Sequence, residues 1–263
     1  MADPAEREPS PAVASVVVRL RRLVADGGYR PTERIGDERR LAERLGVPRS
    51  ALRGALEVLE REGRVRRKIG REGGVFASDG KIERQVDTAE SVPDILRRQG
   101  MTCGTAVLSA RLATATPTEV RALRLDDDGG GVRTGAHVVR VVRTRSADGV
   151  PWSLETSVVP AHLAPGLLQH DLSTSLYRVL HEHYGLGPDV SEETIDVVQA
   201  DDEQAGHLGI PAGAPVVRVV RVARTGTGVP LEYAVDLFRA DRTRLHTRKV
   251  GYVALARTAG AGG

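Results

Sequence analysis

The chain has 263 residues, of which 40% are hydrophobic and only 3% aromatic, so aliphatic side chains must fill one large or two modest cores. A single cysteine, Cys103, excludes an intrachain disulfide and favours a reducing cytosol, and no apolar run reaches the roughly 18 residues that a membrane helix needs. The net charge is +3, but residues 1–80 carry 17 Lys and Arg against 13 Asp and Glu, whereas the rest carries 21 against 22. This local basic excess is typical of a nucleic-acid-binding module.

The first 62 residues predict three helices behind a short tail. Residues 1–10 are polar and are predicted to be disordered, and helical spacing of apolar residues predicts a helix over 12–26. Asp37 is a candidate N-cap for a helix over 38–45, and Pro48 suits the first turn of a third helix that reaches about Glu62. The apolar stripe of the third helix is predicted to be buried; it consists of Leu52, Ala55, Leu56 and Leu59.

A basic hairpin is predicted after the third helix. The segments "RVRRK" and "GVFA" read as strands joined by a glycine-rich turn, and six basic residues lie between Arg61 and Arg71. A loop that holds a nucleotide phosphate normally connects a strand to a helix, whereas these glycines lie between two strands. The pattern therefore favours a winged helix-turn-helix over 11–78. Arg49 and Arg53 share the exposed face of its recognition helix, at the turns that enter the major groove.

The remainder of the chain contains an internal repeat. Residues 79–90 are polar and read as a linker and hinge with room for a short strand. Beyond it, "GAHVVRVVR" (135–143) matches "GAPVVRVVR" (213–221) in eight of nine positions, and both copies continue to Gly-Val-Pro and Leu-Glu. Each copy reads as helix, strand, turn, strand, which predicts an α+β fold with a mainly antiparallel sheet.

Charged residues recur at matching places in the two copies. Arg143 and Arg145 end the first strand, Glu155 lies on the next, and Glu232 is its counterpart in the second copy. Arginine pairs bind phosphate or carboxylate groups, and glutamates accept hydrogen bonds from hydroxyl or amino groups. Salt bridges between neighbouring strands explain the same pattern, and the residues alone leave both interpretations open. Ser175 reads as a residue at a helix N-terminus, where backbone N–H groups can bind an anion.

At this point the chain resembles a known family. The segment "YRPTERIGDERRLAERLGVPRSALRGALEVLEREGRVRRKIGREGGVFAS" resembles the DNA-binding domain of the GntR family of bacterial transcription regulators. The segments "DGVPWSLETSVVP", "LSTSLYRVLHEHYGL", "EETIDVVQADDEQAGHLGI" and "GVPLEYAVDLFRADRTRL" resemble the UTRA effector-binding domain of its HutC subfamily. The resemblance implies a winged helix joined to a chorismate-lyase-like domain over 91–256, a homodimer on palindromic double-stranded DNA, and a disordered tail over 257–263.

The resemblance also implies site residues. Family DNA contacts fall on Arg39, Arg49, Ser50, Arg53 and Gly70, and the basic hairpin adds Arg67, Lys68 and Arg71. Effector contacts fall on Arg143, Arg145, Glu155, Ser175, Tyr177 and Glu232, with Phe238 where a tyrosine is common. Ile35-Gly36-Asp37 stands where Leu-Pro-Ser is usual, and Pro48 and Ala51 replace hydroxyl residues.

The sequence thus predicts a cytoplasmic repressor whose DNA affinity responds to a phosphosugar or another small acid. No catalytic residue, metal or cofactor is expected, and no membrane partner. Two alternatives remain: a DNA-binding protein that senses no ligand, and a lyase-type enzyme like those that share the sheet architecture. The first predicts no saturable effect of any small molecule on DNA binding, and the second has no need of a basic winged helix.

Overall fold

A computed structural model describes residues 10–68, 70, 73–88, 90–125 and 136–248. The predicted tails lie almost wholly outside these residues. The helices are α1 (Pro11–Asp26), α2 (Glu38–Leu45), α3 (Arg49–Arg61), α4 (Val92–Arg98), α5 (Pro117–Leu123), α6 (Leu176–Tyr184) and α7 (Asp202–Leu208). The strands are β1 (Arg34–Gly36), β2 (Val65–Lys68), β3 (Gly74–Ala77), β4 (Ile82–Gln85), β5 (Cys103–Thr114), β6 (His137–Ala147), β7 (Val150–Pro160), β8 (Val190–Gln199), β9 (Pro215–Arg224), β10 (Pro230–Arg239) and β11 (Thr243–His246). None of the helices in these ranges is long and apolar enough to cross a membrane.

The N-terminal unit is a winged helix-turn-helix, as the helix and hairpin patterns predicted. Asp37 caps α2 by accepting a hydrogen bond from the backbone N–H of Arg40. The aspartate therefore caps the helix in place of the serine that is usual at this position. Strands β2 and β3 form the wing, and the sequence analysis missed β1, which pairs with β3. The core is closed by the predicted stripe of α3, whose members are fully buried: Leu52, Ala55, Leu56 and Leu59.

The C-terminal unit is a six-stranded antiparallel sheet in the order β5-β6-β7-β10-β9-β8. This order places the two copies of the repeat about a pseudo-two-fold axis between β7 and β10. Each copy begins with a strand, β5 or β8, that the predicted helix-strand-turn-strand unit lacked. Apolar side chains of α6 pack on one face of the sheet, while those of α5 and α7 pack on the other.

The two glutamates of the repeat are not structurally equivalent. Glu155 lies directly opposite Arg143 on the neighbouring strand, whereas Glu232 lies opposite Ala223. Both hairpins have an irregular pair near the turn, but the first copy has two additional residues, Trp152 and Ser153, between its Gly-Val-Pro and its Leu-Glu. The prediction that both glutamates occupy matching positions is therefore wrong, although both remain on the cavity side of the sheet described below.

The segment predicted as a polar linker contains a packed strand. Strand β4 pairs in parallel with β11, a segment more than 150 residues later in the chain. Ile82 at its start is fully buried against a cluster that includes Trp152 and Phe238. The predicted short strand is thus present, and it is fastened to the C-terminal unit rather than free between the two.

Candidate DNA-binding surface and ligand cavity

The exposed face of α3 carries three of the predicted DNA contacts. Arg49, Ser50 and Arg53 lie side by side on the surface of its first turns. Leucines on the opposite face pack into the core, so these side chains point outward, as the apolar stripe of the helix predicted. The Nε atom of Arg53 lies 3.0 Å from Glu38 Oε2, an exposed ion pair that costs little to break when a phosphate or a base competes for the guanidinium.

In the wing, Lys68 is exposed to solvent as predicted, whereas Arg67 is bound to another residue of the same unit. Lys68 is exposed with its ammonium 4.9 Å from the centre of the Phe76 ring, and Gly70 is exposed beyond it. Arg67 turns back instead, because Glu60 accepts from both its backbone N–H and its guanidinium. Arg39 is exposed on α2. Arg71, also predicted to contact DNA, lies outside the described residues.

A cavity opens between the sheet and the N-terminal ends of α4 and α6. Its empty volume, counted out to the open mouth, is about 470 Å³, and most of the side chains that line it are charged or polar. All seven residues predicted to contact an effector line it: Arg143, Arg145, Glu155, Ser175, Tyr177, Glu232 and Phe238. The structure therefore brings together residues that are separated by up to 95 positions in the chain.

Arg143 and Arg145 both donate to Glu155, but they differ in how many of their guanidinium nitrogens have a hydrogen-bond partner. Glu155 Oε2 accepts from Arg143 Nη2 at 3.2 Å and from Arg145 Nε at 3.1 Å. The other donors of Arg145 bind Thr105 and the carbonyl groups of Ser173 and Thr174, so all three of its nitrogens are in use. Arg143 keeps Nε buried without a hydrogen-bond partner in the described part of the chain. Burial lowers the pKa of Arg143, although Glu155 opposes the shift.

A second charged cluster surrounds Arg221 on β9. Its guanidinium contacts Glu232 Oε2 at 3.3 Å and Asp236 Oδ2 at 3.1 Å, and the hydroxyl of Tyr177 donates to Glu232. Burial opposes the charged form of Glu232, but Arg221, Tyr177 and Ser157 outweigh it and lower the pKa of Glu232. Burial, together with Glu232, raises the pKa of Tyr177 well above its usual value, so its phenol stays protonated as a donor.

Asp236 behaves differently from Glu232 on the same strand. Burial raises its pKa to about 7 despite the neighbouring Arg221, and the charges of Glu155 and Glu232 add to the shift. Its Oδ1 atom is buried without a hydrogen-bond partner among the described residues. A carboxyl group that changes charge near neutral pH therefore lies inside the cavity.

The sequence analysis did not identify several residues of the cavity lining, among them Arg84, Arg221 and Asp236. The repeat offered a signal for one of them, because Arg221 occupies the position in "GAPVVRVVR" that Arg143 occupies in "GAHVVRVVR". Asp236 is four residues after Glu232 on the same strand, so both side chains are expected on one face, but this spacing alone does not predict a binding site. Arg84 lies in the polar linker, and no local pattern shows that β4 brings it to the cavity wall.

A winged helix joined to a sheet domain with a charged cavity defines a class: a DNA-binding protein with a site for a small molecule. Comparison with known families agrees. Residues 12–75 match the model of bacterial regulatory proteins of the gntR family, and residues 98–244 match the UTRA domain model. The chain belongs to the GntR family of bacterial regulators, in the subgroup that carries a UTRA domain.

Full-length relatives share this arrangement. The chain is 28% identical over 237 residues to the HTH-type transcriptional repressor NagR of Bacillus subtilis, covering 90% of this chain and 94% of NagR. It is 33% identical over 214 residues to the repressor PhnF of Mycolicibacterium smegmatis, covering 80% and 83%. The crystal structure of PhnF from Mycobacterium smegmatis superposes with a TM-score of 0.61 at 28% identity, covering 90% of this chain and all of PhnF.

Proposed function

We propose that the protein is a cytoplasmic, homodimeric repressor whose affinity for operator DNA changes when a small anionic metabolite occupies the cavity. Residues 11–78 bind DNA and residues 91–256 bind the effector. The observation that carries the proposal is a surface of outward-facing basic side chains on α3 in the same chain as a buried, arginine-lined cavity. Relatives that cover nearly the whole chain bear the name of transcriptional repressors, which supports the sign of regulation and favours a regulator over an enzyme.

The charges in the cavity favour an anion. Four arginines line it with four carboxyl groups. Glu90 pairs with Arg98 and Arg84 pairs with Glu193, so three arginines remain against three carboxyl groups, of which Asp236 holds its proton up to about pH 7. Arginine charge therefore exceeds carboxylate charge around the occupant. Glu155 and Glu232 remain as acceptors for hydroxyl or amino groups, so a hydroxylated or aminated acid such as a phosphosugar fits better than a bare anion.

Two half-sites are expected on the operator. A homodimer places two recognition helices in major grooves about one helical turn apart, so the operator should be an inverted repeat. Arg49, Ser50 and Arg53 then contact bases or phosphates from α3, while Arg39, Lys68 and Gly70 contact the backbone from α2 and the wing. Arg67 joins them once DNA competes with Glu60 for its guanidinium.

The proposal is tested by a thermal-shift screen followed by two variants. The panel contains inorganic phosphate, glycerol 3-phosphate, glucose 6-phosphate, glucosamine 6-phosphate, gluconate and glutamate. A compound that binds the folded chain raises its melting temperature by mass action. Operator fragments are selected from random DNA by repeated binding, and affinities are then measured by fluorescence anisotropy.

Arg53→Ala and Arg143→Ala should separate the two activities. Arg53→Ala should weaken specific DNA binding by at least ten-fold and leave the compound-induced melting shift unchanged, because the side chain lies on the exposed face of α3. Arg143→Ala should abolish the melting shift and leave DNA binding without compound unchanged. Arg22→Ala, which removes an exposed arginine of α1, is the matched control and should change neither. Equal DNA affinity of Arg53→Ala and wild type contradicts the assignment of α3, and absence of any melting shift in wild type contradicts the anionic effector.

A further inference from the structure

We infer that Arg84, on the strand that follows the DNA-binding unit, is a direct ligand of the small molecule in the cavity. The inference rests on the proposed function and extends it, because it places one wall of the effector site on the chain segment that leads to the DNA-binding unit. Neither the family resemblance nor the internal repeat marks this residue.

Strand β4 delivers the side chain. The burial of β4 alternates, so that Ile82 and Arg84 point inward while Glu83 and Gln85 are only partly covered. Ile82 anchors the strand in the core beneath Trp152 and Phe238, and pairing with β11 fixes its direction. Arg84 is consequently only 4% exposed, and its guanidinium lies 5.7 Å from the centre of the Phe238 ring at the cavity wall.

The hydrogen bonds of Arg84, which lines the cavity, are incomplete. Its Nη2 atom donates to both carboxylate oxygens of Glu193, at 2.6 and 2.8 Å. Its Nη1 atom is buried and has no hydrogen-bond partner within the described ranges. A buried charged donor without a partner is costly, so an acceptor supplied by the occupant should bind it strongly.

Two more unpartnered groups share the cavity with Arg84. Arg143 Nε is a second free donor, and Asp236 Oδ1 is a free oxygen whose charge the guanidinium of Arg84 influences. An occupant that satisfies all three must present acceptors to the arginines and a donor or acceptor to the carboxyl group. An acid that also carries a hydroxyl or amino group meets these demands.

The contacts of Arg84 also reach the second charged cluster. Glu193, its partner, lies 3.5 Å from Arg221 Nη1, which in turn binds Glu232 and Asp236. An occupant that draws Arg84 or Arg221 toward itself therefore changes the contacts that hold β4. The hydrogen bonds that Arg84, Glu193 and Arg221 share thus couple effector binding to the position of β4.

The test compares three variants with the panel compound that gives wild type its largest melting shift. Arg84→Gln removes the guanidinium group, including the unpartnered Nη1 donor. It should weaken binding of that compound in calorimetric titration by ten-fold or more. Glu193→Gln breaks the same ion pair but leaves Arg84 in place, and it should weaken binding by less than three-fold. Arg140→Gln removes an arginine whose Nη2 likewise donates to both carboxylate oxygens of a glutamate, Glu119, outside the cavity, and it should leave the affinity unchanged.

Hydrogen exchange of the linker separates a ligand from a purely structural residue. In wild type, the compound should slow exchange in the peptide that spans residues 78–90, and in Arg84→Gln it should not, even when the compound is raised to saturation. Equal weakening by Arg84→Gln and Glu193→Gln, or linker protection that survives Arg84→Gln at saturation, overturns the inference while leaving the proposed function intact. If no panel compound stabilises wild type, the proposed function fails and the inference falls with it.

Discussion

At the scale of single residues, burial assigns different roles to carboxyl groups that the sequence cannot distinguish. Glu232 and Asp236 lie on one strand and both contact Arg221. Arg221 and the hydroxyl groups of Tyr177 and Ser157 keep Glu232 ionised against the effect of burial, whereas burial raises the pKa of Asp236 to about 7. The charge of the cavity therefore depends on pH near neutrality through Asp236.

This difference predicts the pH dependence of stability. An unfolded Asp236 ionises near pH 4, while the folded chain holds the proton up to about 7, so the folded state binds more protons in this window. The contribution of Asp236 to the free energy of unfolding should thus fall as pH rises from about 4 to 7. Asp236→Asn removes that dependence, and its stability relative to wild type should increase with pH in urea titrations across the window.

Glu193→Gln serves as the control for this prediction, since Glu193 is half-buried and contacts the same arginine. A constant difference between Asp236→Asn and wild type at every pH would show that Asp236 is ionised throughout. The same titration bears on function, because a neutral Asp236 leaves more net positive charge for an anionic occupant.

At the scale of elements, local patterns were sufficient for the three N-terminal helices and for the hairpins, but long-range pairing was not predictable. The spacing of leucines in α3 and the glycine-flanked wing gave the winged helix correctly, because their partners lie within a few residues. Strand β4 has only four residues, and its partner β11 is distant in the chain. This pairing forms only when distant parts of the chain come together, so no local pattern predicts it. The polar composition of residues 79–90 therefore suggested a linker.

The packing of β4 predicts a large effect for a conservative truncation. Ile82 is completely buried, and its neighbours cannot collapse fully into the space that Ile82→Ala would leave. We expect the free energy of unfolding of the C-terminal unit to fall by about 2–5 kcal/mol in chemical denaturation. Leu112→Ala, at a position on β5 that is 54% exposed, should cost less than about 0.5 kcal/mol. Similar losses in the two variants would show that β4 is not part of the core.

At the scale of the whole molecule, the proposed regulation requires the two units to change their relative arrangement. The structure limits the segment of the chain in which that change can occur. Ser78 still bonds to the DNA-binding unit through the carbonyl group of Arg64, and Ile82 already belongs to the C-terminal core. The connection between them is therefore residues 79–81. Within it, Gly80 has a φ of +77°, a backbone conformation that side chains disfavour.

Gly80→Ala should consequently shift the response to the effector. An added methyl group meets Gly63 only at ordinary contact distance, so the cost is the strain of a positive φ, about 1 kcal/mol. That strain disfavours this arrangement of the two units. If the effector selects another arrangement, its apparent affinity rises by up to about five-fold, and operator binding responds at correspondingly lower concentrations of the panel compound.

Gly149→Ala is the matched control for this variant. Gly149 has a φ of +81° and open space around it, but it lies in the turn between β6 and β7 and not between the two units. The strain in Gly149→Ala should therefore lower stability without changing the concentration at which the compound alters operator binding. If both glycine variants shift that concentration equally, or neither does, the change of arrangement does not pass through residue 80.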